Sequence, residues 1–358
     1  MKTVLRFATQ IDRRILLTMT TILWIGAFFA FRLDYHSDDF YVLWLGGTYI
    51  LKGQSPYSDA AYQMLQATWF SDWAIAGNAY PLPALLLVTP LSLLPLSIAG
   101  VIWMIFGLVM IGLLPMIHKN WQAHIILLML FMPLHYAVKL QQATLIWVGF
   151  AIVLIIALQR KWWILAGFCM AILPAKPQTG LIFAIAAGIW ALQHYRPLIG
   201  WASLWSVVIW GGSFLVQPNW VVEWWAALKL YQGYVVFISI LPLALVMLVS
   251  SYRLPWYAIA AVLQVICFPV NHLYSTLPLL IAWMSISHPL AWLGAGISWL
   301  WMISDLPYTS TTLWITIFFP YVLICAWVIL KKPAFAERYS LPFFKPQPPS
   351  AETPAQSV

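Results

Sequence analysis

The chain has 358 residues, of which 63% are hydrophobic and 8% charged, with a mean hydropathy of +0.85. That balance excludes an ordinary soluble domain, where about a quarter of the residues carry charge, and puts the chain in the membrane class. The net charge of +8 sits in short basic clusters between apolar runs rather than on one soluble face, so no nucleic-acid partner is expected.

A hydrocarbon core about 30 Å thick needs about 20 apolar residues per helix, and helices satisfy their own backbone hydrogen bonds in lipid. The apolar runs predict an all-α, polytopic bundle with helices over 15–31, 98–117, 122–138, 143–158, 163–176, 179–194, 197–216, 234–250, 254–270, 273–287, 290–304 and 311–330, about twelve crossings. Lys2, Arg6, Arg13 and Arg14 precede the first of these and set the N-terminus in the cytoplasm. Arg160 with Lys161, Arg196, Arg253, and Lys331 with Lys332 repeat that mark at later loops. The first apolar run is followed by no A-x-A cleavage site and is read as a retained helix. Segment 81–96 is apolar but carries Pro81, Pro83, Pro90 and Pro95, which predicts a short broken or re-entrant element.

The domain reading is one transmembrane domain over 1–330, with a first extracytoplasmic loop over 32–80. Residues 331–358, rich in Pro, Ser and Gln, read as a disordered cytoplasmic tail. The 23 Trp and 16 Tyr suit interfacial belts or the lining of a groove for an acyl or isoprenoid chain. Cys169, Cys267 and Cys325 lie in apolar runs as small core residues, and neither metal nor cofactor is expected.

Half of the ten acids, Asp34, Asp38, Asp39, Asp59 and Asp72, follow the first apolar run closely. With the topology above they fall on the outer face with Glu223 and Asp305, joined by Arg32 and by Gln141, Gln142, Lys176, Asn271 and His272 at outer helix ends. Phe40 to Leu51 is an amphipathic run with an acid at its start, which predicts an interfacial helix. Two readings of Asp38 and Asp39 stay open: the N-cap of that helix, and a general base acting on a hydroxyl. Lys176 before Pro177 reads either as a snorkelling lysine or as a point charge for an anionic headgroup. His272 suits a hydrogen bond to sugar or phosphate, a proton relay, or a neighbouring carbonyl. Gln141 and Gln142 offer amides to a ligand or to loop backbone. Trp220 to Tyr231 reads as a second interfacial helix, with Glu223 a solvated charge. No Walker loop, GxGxxG, HExxH or paired-Cys motif appears.

The run Asp39-Phe40-Tyr41-Val42 to Gly53-Gln54-Ser55-Pro56-Tyr57, followed by Ala79-Tyr80-Pro81-Leu82-Pro83, Pro90-Leu91 and Leu94-Pro95, resembles the opening of the polyprenol-phosphate-mannose-dependent mannosyltransferases, glycosyltransferase family eighty-seven of the GT-C superfamily. Leu140-Gln141-Gln142-Ala143-Thr144-Leu145 resembles that family's Gly-Gln-x-Asn element. Ala166-Gly167 with Ala175-Lys176-Pro177 resembles its Gly and Lys-x-x-Pro element, and Phe268-Pro269-Val270-Asn271-His272 is similar to the segment with its late histidine. Gln141 stands where the family has Gly, Ala143 and Thr144 stand where Asn is common, and one His appears where close relatives carry two.

The resemblance implies a GT-C-like bundle with extracytoplasmic interfacial helices in an inner or plasma membrane. It implies inverting transfer of mannose, or a similar hexose or pentose, from a polyprenyl-phosphate donor to a lipid or glycan acceptor on the outer side. By the same likeness Asp39 is the general base and His272 the late histidine, while Tyr80 and Lys176 lie near the donor. Asp38 and Asp34 are the neighbouring acids that stand in for the base if it is not Asp39, and Arg32 is a second cation for the phosphate. A transporter or flippase of lipid-linked sugars would use the same groove and cation, and a non-catalytic subunit of an envelope-assembly complex would need neither.

Overall fold

The computed structural model describes residues 38–68, 78–117, 121–232, 241–270, 272–286, 290–300 and 309–331. The expected first span 15–31, Arg32, Asp34, Asp72, Asn271, Asp305 and the tail beyond Lys331 lie outside the described residues. So does the side chain of Asp38. Within them the chain is all-helical.

The first described helix, α1 (Asp38–Leu51), is followed by α2 (Asp59–Thr68). The expected interfacial run is packed on the protein itself: Phe40 and Leu43 are fully buried, and Val42, Leu45 and Tyr49 nearly so. The helix ends as its sequence requires. Gly53 takes φ +67°, its N–H bonds the Ile50 carbonyl at 2.9 Å, and the Gln54 N–H reaches back to Tyr49 at 2.9 Å, which satisfies the last carbonyls in a Schellman motif.

The proline-rich stretch is broken, as its sequence predicts. It forms α3 (Leu82–Val88), then a 3₁₀ turn over Thr89–Leu93, before Pro95 opens α4 (Leu96–Gly112). It lies tight against α1 because Gly46 and Gly47 have no side chains. A Cβ on Gly46 would meet Asn78 Nδ2 at 2.6 Å, and one on Gly47 would meet Ser92 Oγ at 2.2 Å and the Thr89 Cα at 3.0 Å. Three hydrogen bonds fasten the contact: Trp44 Nε1 donates to Leu94 O at 3.0 Å, Ser92 Oγ to Trp44 O at 2.8 Å, and Asn78 Nδ2 to Val42 O at 3.2 Å.

The next elements are α5 (Trp121–Leu130), α6 (Met132–Lys139), α7 (Thr144–Gln159), α8 (Trp163–Ile172), α9 (Pro177–His194) and α10 (Pro197–Ser206). Helix α10 continues through a π-helical turn over Val207–Gly211 into α11 (Gly212–Val216). The core runs through α7, whose residues from Thr144 to Leu158 are all buried except Val153. Gly149 of α7 admits Met110 of α4, whose Cβ lies 2.4 Å from where a glycine Cβ would be. Helix α12 (Trp220–Gln232) precedes α13 (Leu241–Ser251), α14 (Trp256–Cys267), α15 (Leu279–Met284), α16 (Leu290–Ile297) and α17 (Phe319–Lys331).

Among the described residues three helices are long and apolar enough to cross a membrane: Leu96–Met116, Pro197–Val216 and Thr311–Val328. Several expected spans are shorter than the apolar runs that predicted them, for a local reason. Proline interrupts them by removing an N–H and clashing with the preceding turn. The 122–138 run breaks at Phe131 before Pro133, and 273–287 divides into a 3₁₀ turn, Leu273–Thr276, and α15 around Pro278. Helix α7 has 16 residues, a reach of about 24 Å. Of the cysteines, Cys169 and Cys325 are core residues as expected, whereas Cys267 is exposed at the end of α14.

Gly47→Ala is expected to destabilise the protein by about 1–3 kcal/mol, because the 3₁₀ turn must move off α1. Gly200→Ala, where a Cβ meets nothing within 4 Å, is expected to be neutral or stabilising by about 0.5–1 kcal/mol. Thermal unfolding of the two purified variants beside the parent chain checks the contrast.

Candidate active site

Four stretches far apart in sequence converge on one hydrogen-bonded chain. Asp39 stands in the first turn of α1, where the helix dipole favours its negative charge. Its Oδ2 accepts from Gln142 Nε2 at 2.7 Å. The other end of the same amide, Gln142 Oε1, accepts from Lys176 Nζ at 3.1 Å. Lys176 Nζ also donates to the Tyr80 hydroxyl at 3.1 Å and lies 4.9 Å from the Tyr80 ring centroid, a cation–π distance.

Each member is placed by local backbone chemistry. Helix α6 ends in a second Schellman motif, with Gln141 N–H bonding Val138 O at 3.0 Å and Gln142 N–H bonding Ala137 O at 2.9 Å. Gln141 occupies its left-handed position at φ +49°, the conformation for which glycine is preferred. The two adjacent glutamines therefore do different work. Gln142 enters the polar chain, while Gln141 turns the backbone, receives Trp103 Nε1 on its carbonyl at 3.1 Å and packs against Gly100, where a Cβ would lie 2.8 Å from Gln141 Oε1. Gln141 is thus a buried turn residue in this structure.

Lys176 is the last residue of the span expected over 163–176 and lies just outside the helix that forms there, Trp163–Ala175. Helix α8 tightens into a 3₁₀ turn, Leu173–Ala175, and Pro177 starts α9. A residue before proline is pushed out of the helical region, and Lys176 has φ −130°, ψ 83°. Its carbonyl caps α9 by accepting Thr179 N at 2.9 Å and Gly180 N at 3.0 Å. Its side chain is 3% exposed, so it does not snorkel. Burial lowers its pKa from the ordinary lysine value, and the Asp39 carboxylate opposes that fall.

Tyr80 is fixed from its own backbone: its N–H donates to Asn78 Oδ1 at 3.1 Å, and its carbonyl accepts from the Tyr57 hydroxyl at 2.9 Å. Sequence reasoning missed Asn78, a buried amide that joins α1 to the Tyr80 segment. Its signal was a polar residue just ahead of the first proline, where an apolar element begins.

His272 comes from the loop after α14. Its ring stacks on Tyr274 at 5.1 Å and 8°, and Tyr274 stacks in turn on Tyr136 of α6 at 6.5 Å and 10°. The helix that delivers Gln142 therefore also braces the segment that delivers His272. Partial burial, and then the nearby Lys176 charge, lower the His272 pKa, leaving the imidazole neutral at pH 7. Helix α14 is locked to α9 by Gln264, fully buried, which donates to Pro177 O at 2.9 Å and accepts from Ile182 N at 2.9 Å.

The arrangement is layered. Gln142 and Lys176 are buried, while Asp39, Tyr80 and His272 are half-buried above them. Glu223 is not the solvated charge expected: it bonds Ser55 Oγ, and its Oε2 accepts from Gln217 Nε2 at 2.5 Å. The chain matches no protein-family model, no curated protein and no solved structure.

Lys176→Met is expected to destabilise by about 1–3 kcal/mol, since the buried Gln142 carbonyl loses its donor and the Asp39 carboxylate loses the nearby cation. Adding Asp39→Asn should return part of that loss, because the uncompensated charge is gone. The two thermal or denaturant midpoints, compared with Asp39→Asn alone, complete the cycle.

Proposed function

We propose that the chain is a multi-pass integral-membrane glycosyltransferase of the inner or plasma membrane. It moves a hexose or pentose from a polyprenyl-phosphate carrier to a lipid or glycan acceptor, on the extracytoplasmic side. The observation that carries this reading is the pairing of a half-buried carboxylate with a buried ammonium through one glutamine amide, assembled from α1, α6, α9 and the Tyr80 segment. The exterior supports the membrane part. Along the continuous helix from α10 through the π-helical turn to α11, Val207 is 69% and Leu215 89% exposed, an apolar surface suited to hydrocarbon and costly in water. A bundle of about twelve crossings follows if the bilayer thins around the shorter apolar helices or they pair end to end.

The chemistry needs three things, and the residues match them. An acceptor hydroxyl has a pKa far above neutrality, so a carboxylate must take its proton as the new bond to C1 forms. Asp39 is the base, and its hydrogen bond to Gln142 holds the carboxylate in orientation. As the C1–O bond to phosphate breaks on the opposite face, a second negative charge develops on the carrier phosphate. Lys176, fixed by Gln142 and Tyr80, stabilises that charge, and it acts strongly because little water surrounds it. Neutral His272 offers a hydrogen bond to sugar or phosphate. Attack from the face opposite the leaving phosphate inverts the anomeric carbon.

Asp39→Asn is expected to lower sugar transfer from a polyprenyl-phosphate sugar by about 10²–10⁴-fold with membrane expression unchanged. Full activity in that variant moves the base to Asp38 or Asp34. Transfer by the reconstituted, purified chain separates this reading from a flippase, which would move the lipid-linked sugar across vesicles without consuming it, and from a non-catalytic subunit.

Because burial lowers the Lys176 pKa, its charge is lost at a lower pH than that of a free lysine. Affinity for a prenyl phosphate should therefore be full below that pKa and fall as pH rises through it. Lys176→Arg should push the falling limb to higher pH, which a binding titration across pH 6–10 reads directly.

A further inference from the structure

The polar chain accounts for Asp39, Gln142, Lys176 and Tyr80 but leaves α12 and the Gly53–Tyr57 turn without a role. Both converge on the backbone of Tyr80. Trp224 Nε1 of α12 donates to the Ala79 carbonyl at 2.8 Å, and the Tyr57 hydroxyl donates to the Tyr80 carbonyl at 2.9 Å. Two consecutive carbonyls are thus held by two side chains. The second side chain is itself tied to α12, because Ser55 Oγ accepts the Tyr57 N–H at 3.2 Å and bonds Glu223. Gln217, just ahead of α12, closes the group by donating to Ser55 Oγ at 2.9 Å and to Glu223 Oε2 at 2.5 Å.

We propose that α12 is a strap that sets Tyr80 over Lys176, with Trp224 and Tyr57 as positioning residues and Glu223 as the anchor of the Ser55–Tyr57 turn. The physical case is one of leverage. The Tyr80 hydroxyl must meet Lys176 Nζ at hydrogen-bond distance, while the ring stays within cation–π reach. Residues 78–81 have no helical ladder of their own to fix them. Without outside partners the Ala79 and Tyr80 carbonyls would have to find other donors, and the phenol would drift from the ammonium. Tyr80 touches Lys176 directly, and its segment is held from α12. The inference deepens the transferase reading by naming what aligns the cation with the phosphate, but the strap itself is a geometric claim about Tyr80.

The test uses the full chain in detergent with 3-fluorotyrosine placed at position 80 and read by fluorine NMR. Lys176→Met should shift that resonance, since the ammonium lies against the ring. Trp224→Phe and Tyr57→Phe should each shift or split it, and should reduce the response to Lys176→Met. Trp225→Phe, an exposed neighbour on the same helix, should leave it in place. Glu223→Gln, which keeps a hydrogen-bonding oxygen, should behave like the parent, and Glu223→Ala like Tyr57→Phe. A Tyr80 resonance unmoved by both Trp224→Phe and Tyr57→Phe overturns the proposal.

Farnesyl phosphate binding gives the functional arm. Trp224→Phe should weaken it about 3–10-fold in the parent chain and leave it unchanged in Tyr80→Phe, the non-additivity expected of residues acting through one another. Equal losses in both backgrounds also overturn the strap. If the parent chain binds no farnesyl phosphate, the transferase reading fails while the fluorine spectra still decide the strap.

Discussion

An ammonium group sealed among apolar helices is the constraint around which this protein is built. Lys176 is 3% exposed, and an uncompensated buried charge of that kind costs several kcal/mol. The compensation comes from Gln142, whose amide accepts from the lysine at one end and donates to the Asp39 carboxylate at the other. A glutamine suits this position because it carries a donor and an acceptor on one rigid group and keeps acid and base apart. Spaced by an amide, the two groups share one polar bridge, and the carboxylate counters the burial of the ammonium.

The packing serves that arrangement. Gly46 and Gly47 let the proline-rich stretch approach α1 closely enough for Asn78 to reach Val42 and for Tyr80 to reach Lys176. Pro177 ends one helix and starts the next, so that Lys176 leaves the helical ladder and its side chain turns inward. Gln264 then ties α14 to the first turns of α9, which keeps the His272 loop beside the same lysine. Small residues, prolines and buried amides thus act together: the first allow approach, the second create breaks, and the third satisfy the polar groups those breaks expose.

Much of this was legible in the residues. The proline spacing of 81–96 announced a broken element, and Lys176-Pro177 announced a helix junction. Gln141 has a structural meaning as well. The position is the left-handed residue of a Schellman motif, where glycine fits without strain, and Gln141 fills it at φ +49° while packing under Gly100. Sequence reasoning took Gln141 and Gln142 as equivalent amides, because their difference lies in a backbone angle that neither side chain reveals. It likewise took Glu223 for a solvated charge, since nothing in a local pattern can show that its partners, Ser55 and Gln217, arrive from other segments.

The apolar runs by themselves determined that the chain is helical and apolar, because long runs with few charges satisfy their backbone within a helix and local proline and glycine chemistry marks the breaks. The sequence also set which side chains are ionisable and where along the chain they lie. What only tertiary structure decided is which of them meet. Asp39 and Gln142 are 103 positions apart, and Tyr80 and Lys176 are 96 apart. Their contact follows from how the bundle brings the turns beside α1, α6 and α9 together, and hydrophobic periodicity fixes which face of a helix is buried without fixing its neighbour.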